Sequence, residues 1–252
     1  MSVAPVRPPI SRSITRPIKR VPTTPRRPPF QTGDHLSRAE FERRYAAHPE
    51  IKKAELIEGV VYIMSSPTRY TQHGRPHGMT VTWLGTYEAA TPGVLSAIEP
   101  TIRLDSENEV QPDALLRLDP RLGGRSRVAE DGYLEGPPEL IVEIAASSAA
   151  YDLYEKRRVY QRCGVLEYLV LQMYEQRVDW FVLREGVYAP LEPDADGLLH
   201  SENLPGLIFR PAAIWDDDLA ALLAALQTGL ATPEHAEFVK RLQAAPEIAT
   251  QS

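Results

Sequence analysis

Two almost continuously apolar runs, Leu140–Ala146 and Val165–Leu171, flank a polar stretch, Ala149–Cys163, whose larger side chains recur with helical spacing. A run apolar at every position is a strand buried on both faces, which an antiparallel sheet with one solvated face does not need. A strand, a helix and a strand this close together close into a right-handed βαβ unit with parallel strands, and Gly164 is a natural helix stop. The chain therefore reads as α/β.

The remaining elements are arranged around that unit. Ser37 and Glu40 have the spacing of a capping box ahead of Phe41 and Tyr45, so a short helix is expected over 37–47, with order beginning near Ser37. Residues 54–59 and 60–64 read as strands about the turn pair Glu58-Gly59, and 65–76 as a loop. Pro76 suits the first turn of a helix running to about Ala90, although Thr80-Val81-Thr82 also admits a strand. Residues 94–104 and 110–118 alternate as antiparallel strands do. Arg177–Leu183 and Val187–Leu191 form a hairpin at the sheet edge. Two helices are expected at the C-terminus, at about 218–228 and after Pro233.

Of the 28 basic residues, seven lie in residues 1–33, which hold no acid and eight prolines. Such a segment cannot bury enough apolar surface to order itself, so it reads as a disordered tail. Residues 34–215 then form the main domain and 216–252 a C-terminal helical segment. That leaves 21 basic against 34 acidic residues from position 34 onward, a body that repels phosphate unless a basic surface, the tail or bound cations intervene. No apolar run approaches the ~20 residues of a membrane span, so no membrane partner is expected. A single cysteine, Cys163, excludes a disulfide framework and fits a cytoplasmic protein.

The residues that break the pattern carry the chemistry. Glu143 interrupts the apolar strand, and a buried carboxylate needs a cation, hydrogen bonds or a metal; at an open sheet end it would simply be solvated. Pro112 marks a strand edge just before Asp113. Two carboxylates from adjacent strands are ligands for a hard divalent cation such as magnesium. Lys156, on the helix after the Glu143 strand, is either a partly exposed i, i+4 partner of Asp152 or a side chain reaching back toward Glu143. His73 and His77 have metal-ligand spacing for a helix. With Gly74 and Pro76 in between, the stretch is not expected to be helical and a zinc site is set aside, leaving His77 to face an anion or the site.

Glu55-Leu56-Ile57-Glu58-Gly59, His77, Pro112-Asp113, Glu143, Asp152 through Lys156, Gly164-Val165-Leu166-Glu167-Tyr168 and Leu204-Pro205-Gly206-Leu207 occur in that order. In this order and spacing the chain, from about Ser37 to Trp215, resembles the Uma-two family of restriction-endonuclease-like proteins, within the PD-(D/E)XK nuclease superfamily. The resemblance implies a mixed central β-sheet flanked by helices, with Asp113 and Glu143 binding Mg2+ (or Mn2+) and Glu55 as a further acidic position. The superfamily lysine two residues after the glutamate is replaced here by Ala145, and Lys156 takes its place. The implied activity is metal-dependent hydrolysis of DNA, with a homodimer allowed. A scaffold that keeps the fold without cleaving, or that binds DNA or protein, is the alternative.

Overall fold

The structure is a computed structural model and describes residues 29–64, 69–146 and 152–244. In chain order its strands are β1 (Lys53–Ile57), β2 (Val60–Met64), β3 (Val94–Ile98), β4 (Ile102–Arg103), β5 (Glu109–Val110), β6 (Ala114–Leu118) and β7 (Arg127–Val128). They continue with β8 (Leu134–Glu135), β9 (Leu140–Ala145), β10 (Glu167–Gln172), β11 (Arg177–Arg184), β12 (Val187–Pro190), β13 (Leu199–His200) and β14 (Ile208–Phe209). The α-helices are α1 (Arg38–Ala46), α2 (Arg75–Ala90), α3 (Arg157–Cys163), α4 (Pro211–Trp215), α5 (Leu219–Leu230) and α6 (Pro233–Ala244).

One mixed sheet has the order β12-β11-β10-β9-β6-β3, with β9 and β10 parallel and its other neighbours antiparallel. The expected βαβ unit is its centre, and the expected β11–β12 hairpin forms one edge. Strand β9 is buried along its whole length because both faces are covered. Leu140, Val142 and Ile144 pack with Trp83 and Tyr87 of α2, Leu222 and Leu226 of α5 and Phe238 of α6. Ile141 and Ala145 point the other way, toward Val159 and Tyr160 of α3.

A second six-stranded sheet, β2-β1-β5-β4-β8-β7, was not anticipated. Four of its strands are two residues long. The stretches 94–104 and 110–118, expected as single strands, each break and divide between the two sheets, as β3 with β4 and β5 with β6, and β7 and β8 are too short to show any periodicity. Its inner side chains, Ile57, Ile102, Val110 and Leu134, join Leu115, Ile141, Tyr168 and Val170 of the first sheet in one core. The chain passes from one sheet to the other between β5 and β6, through Gln111, Pro112 and Asp113.

Two expectations need correction. Order starts before Ser37: Phe30 is buried, with its ring 5.6 Å from Phe41 and 5.8 Å from Tyr45, and Gly33 N–H donates to the Val61 carbonyl. The rest of the expected tail, residues 1–28, lies outside the described residues. The segment expected as a loop is helical from Tyr70, where a π-helical turn, Tyr70–Gly74, runs directly into α2. Gly74 adopts helical dihedrals and Pro76 sits in the first turn of α2, where its missing N–H costs nothing. Residues 65–68 and the expected start of the next helix, 149–151, lie outside the described residues. From Asp152 that helix begins as a π-helical turn through Lys156, continues as α3, and ends at Gly164 with a left-handed φ of 84°.

Candidate active site

The core between the two sheets contains charged groups where apolar ones would be expected. Glu55 is the middle residue of β1 and shares the inward face with Ile57, whereas Ala54 and Leu56 face the opposite cluster. It has no solvent exposure, and its Oε1 accepts the Gln111 N–H at 2.7 Å. Glu143 occupies the same core from β9, between Ile141 and Ala145. Lys156 joins the two carboxylates: its Nζ lies 2.8 Å from Glu143 Oε1 and 3.0 Å from Glu55 Oε2. Tyr160, one turn further along α3, donates its hydroxyl to the same Glu143 oxygen at 3.1 Å.

Lys156 is thus neither an exposed pair partner nor partly exposed; only 2% of it is accessible. The helix containing it packs across the face that Glu143 and Ala145 share. The small Ala145 side chain leaves room there for a lysine from outside the strand.

Asp113 sits at the crossing between the sheets. The β6–β9 register pairs Ala114 with Val142, so one step outward Asp113 comes opposite Glu143, on the same face of the sheet. Its Oδ2 accepts the Ile144 N–H at 2.7 Å, while Oδ1 faces Lys53 Nζ at 3.6 Å and His73 Nε2 at 3.7 Å. His77 Nε2 lies 3.0 Å from the Asp113 carbonyl oxygen and donates to it. His77 therefore fixes the Asp113 backbone at the edge of the site. Glu55 and Glu143 share one buried ammonium, that of Lys156, and the buried Asp113 lies opposite Glu143 with Lys53 and His73 at its margin. Carboxylates gathered this closely away from water favour a further cation, because like charges repel strongly there. Hard oxygen donors on facing strands suit Mg2+ or Mn2+.

The five residues singled out from sequence meet in this region: Glu55, Glu143 and Lys156 in direct contact, Asp113 opposite Glu143, and His77 behind Asp113. Three contributors were missed, Tyr160, Lys53 and the Gln111 backbone, which act through tertiary contacts that have no local signature; a fourth, His73, was set aside with the zinc reading. Two other motifs of the sequence pattern have structural explanations. Glu167, buried on β10, accepts hydrogen bonds from Ser201 Oγ, from the backbone of Glu202 and Asn203 and from the Asn203 side chain, so it anchors the loop ahead of Leu204. Burial pushes its carboxyl above the usual range. At the end of α3, burial, reinforced by Asp105 beside it, pushes the Cys163 thiol up to about 12, which holds it in the protonated form.

Residues 38–213 match the family model described as "Uma2: Putative restriction endonuclease". Among solved structures, the chain is similar to a "putative nuclease belonging to DUF820 from Anabaena variabilis ATCC 29413". The match has a TM-score of 0.51 and 15% identity, and covers 72% of this chain and 97% of that one. At that identity the likeness concerns the fold, which here is the mixed α/β nuclease fold. No curated protein matches the chain.

Proposed function

The chain belongs to the Uma2 family, and from that premise we propose that it is a divalent-metal-dependent nuclease hydrolysing phosphodiester bonds of DNA. The observation that carries this reading is the convergence of Glu55, Glu143 and Lys156 within 3.0 Å contacts beside Asp113. Nothing in hydrophobic packing explains why three carboxylates and a lysine should occupy the core between two sheets.

Asp113 and Glu143 would hold the ion, which when bound polarises phosphate and acidifies a coordinated water. The Asp113 carboxylate is fixed by the Ile144 N–H and its backbone by His77, so this ligand is preorganised. Glu143 is oriented by Lys156 and Tyr160, and Glu55 holds Lys156 from the other side. Lys156 carries the positive charge that opposes the charge developing on the phosphate oxygens. The acidic body offers little non-specific attraction for DNA, which makes the bound cation part of substrate recognition as well as of chemistry.

The test is incubation of the full-length chain with supercoiled, linear and single-stranded DNA in Mg2+, in Mn2+ and in EDTA. Cleavage is expected with either ion and none with EDTA. Glu143→Gln and Asp113→Asn should each lower the rate at least about 100-fold. The closed pairing of Lys156 with both glutamates favours one second reading, a nuclease-fold scaffold that does not cleave. Intact DNA of every form at all metal concentrations would establish that reading instead.

A further inference from the structure

We propose that His73, His77 and Glu99 form a second cation site, selective for a late transition ion of the zinc class. The i, i+4 spacing of the two histidines acquires its meaning from the π-helical turn that runs straight into α2. Both residues are helical, and their ring centroids lie 5.4 Å apart. Glu99 follows β3, where its N–H donates to the Asp113 carbonyl. One ligand atom from each of the three residues lies within 4.8 Å of one from each of the others.

The histidine hydrogen bonds have the form that metal ligation requires. His73 Nδ1 donates to the Ile144 carbonyl at 3.3 Å and His77 Nε2 to the Asp113 carbonyl at 3.0 Å. Carbonyls accept only, so both protons are placed, and the lone pairs fall on His73 Nε2 and His77 Nδ1. An imidazole oriented by a backbone carbonyl through one nitrogen, with the other nitrogen presented, is the usual state of a metal-ligating histidine. Atoms bound to one zinc at ~2.0–2.1 Å are roughly 3.3 Å apart, so small side-chain rotations complete the site. Both histidines are half-buried and Glu99 is exposed, which leaves one side open to water or to an incoming ligand.

Donor chemistry separates this site from its neighbour. Two imidazoles and one carboxylate suit Zn2+, Co2+ or Ni2+, whereas Mg2+ prefers oxygen ligands. His73 Nε2 is also 3.7 Å from Asp113 Oδ1, so the second ion would lie alongside the carboxylate assigned to magnesium. Zinc binding can be measured without any cleavage, so its failure and that of the nuclease reading are distinguishable.

The experiment titrates Zn2+ into metal-stripped full-length protein against a chromophoric chelator, with Co2+ absorption as the spectroscopic probe. The expected result is one Zn2+ per chain, a visible Co2+ band, and at least about 100-fold weaker binding in the His73→Gln/His77→Gln double variant. Glu143→Gln should leave zinc affinity unchanged. Circular dichroism checks the fold of each variant. If the double variant does not fold, Glu99→Gln, altered at an exposed position, should still weaken zinc at least about tenfold. The proposal is overturned if the wild type binds no zinc, or if the histidine variant, or Glu99→Gln in its place, binds it as tightly as the wild type. Loss of zinc in Glu143→Gln would place the ion at the Asp113–Glu143 carboxylates and overturn it equally.

Discussion

A lysine buried between two glutamates changes what substitutions at the site will do. Truncating Lys156 leaves Glu55 and Glu143 facing each other without solvent, and an unpaired buried charge typically costs about 3–5 kcal/mol. Lys156→Met should therefore lower the melting temperature sharply, contrary to the small effect expected for an exposed lysine. Added Mg2+ should recover part of the loss in the variant, because a cation can replace the missing ammonium; thermal melts with and without the ion test this. A variant as stable as the wild type would mean that the glutamates are not ionised together. Glu143→Gln should also destabilise, since Glu143 accepts from both Lys156 and Tyr160 and the lost charge pairing outweighs the repulsion it relieves. In the sequence, Glu143 was visible as a charge in an apolar strand and Asp113 as the residue after a strand-edge proline. The burial of Lys156 was not visible, because helical spacing shows which side chains share a face and not how closely that face packs.

At the scale of elements, legibility followed length. The six-residue β9 and β10, the β11–β12 hairpin, and α1 with its Ser37 cap were all expected, since each repeats its pattern long enough to be read. The two-residue strands β7 and β8 were invisible, β4 and β5 were merged with their neighbours β3 and β6, and the π-helical turn at 70–74 was hidden behind Gly74 and Pro76. One of the short strands, β5, brings Glu109 beneath α1. Glu109 is buried, its Oε2 finds no hydrogen-bond partner among the described residues, and burial together with the neighbouring Glu42 pushes its carboxyl up to about 8. The nearby Arg103 opposes this rise without reversing it. The folded chain thus holds a proton here that the unfolded chain releases near 4.5. Stability from this group is complete below that value and is lost as pH rises through about 8. Denaturant midpoints measured from pH 6 to 9 should fall, and Glu109→Gln should flatten the fall. An unchanged slope in the variant would assign the pH dependence to other groups.

Over the whole molecule, the apolar interior divides about the mixed sheet: one buried cluster lies between the two sheets around the charged groups, and another lies behind the mixed sheet, where the C-terminal helices complete it. The face of the mixed sheet opposite the site is covered by α2, and α2 is covered in turn by α5 and α6. Leu222, Leu226, Phe238 and Leu242 belong to the same buried cluster as Met79, Trp83, Leu140 and Val142. Trp83 Nε1–H donates to the Ile208 carbonyl and Tyr87 OH to the Pro205 carbonyl, which ties α2 to the strand and loop beneath α5. His235 of α6 approaches the Thr91 hydroxyl at 3.0 Å, at the end of α2. Deleting residues 216–252 would uncover the outer side of α2, the helix that backs the strand carrying Glu143. The truncated chain is expected to lose its cooperative melt and to expose apolar surface to a hydrophobic dye, even though no site residue has been removed. Leu226→Ala is the milder form of the same experiment. It should cost about 2–5 kcal/mol, as a core leucine does when its cavity cannot collapse. If the truncated chain melts cooperatively at the wild-type temperature, the C-terminal helices are an appendage and the site is supported by the sheets alone.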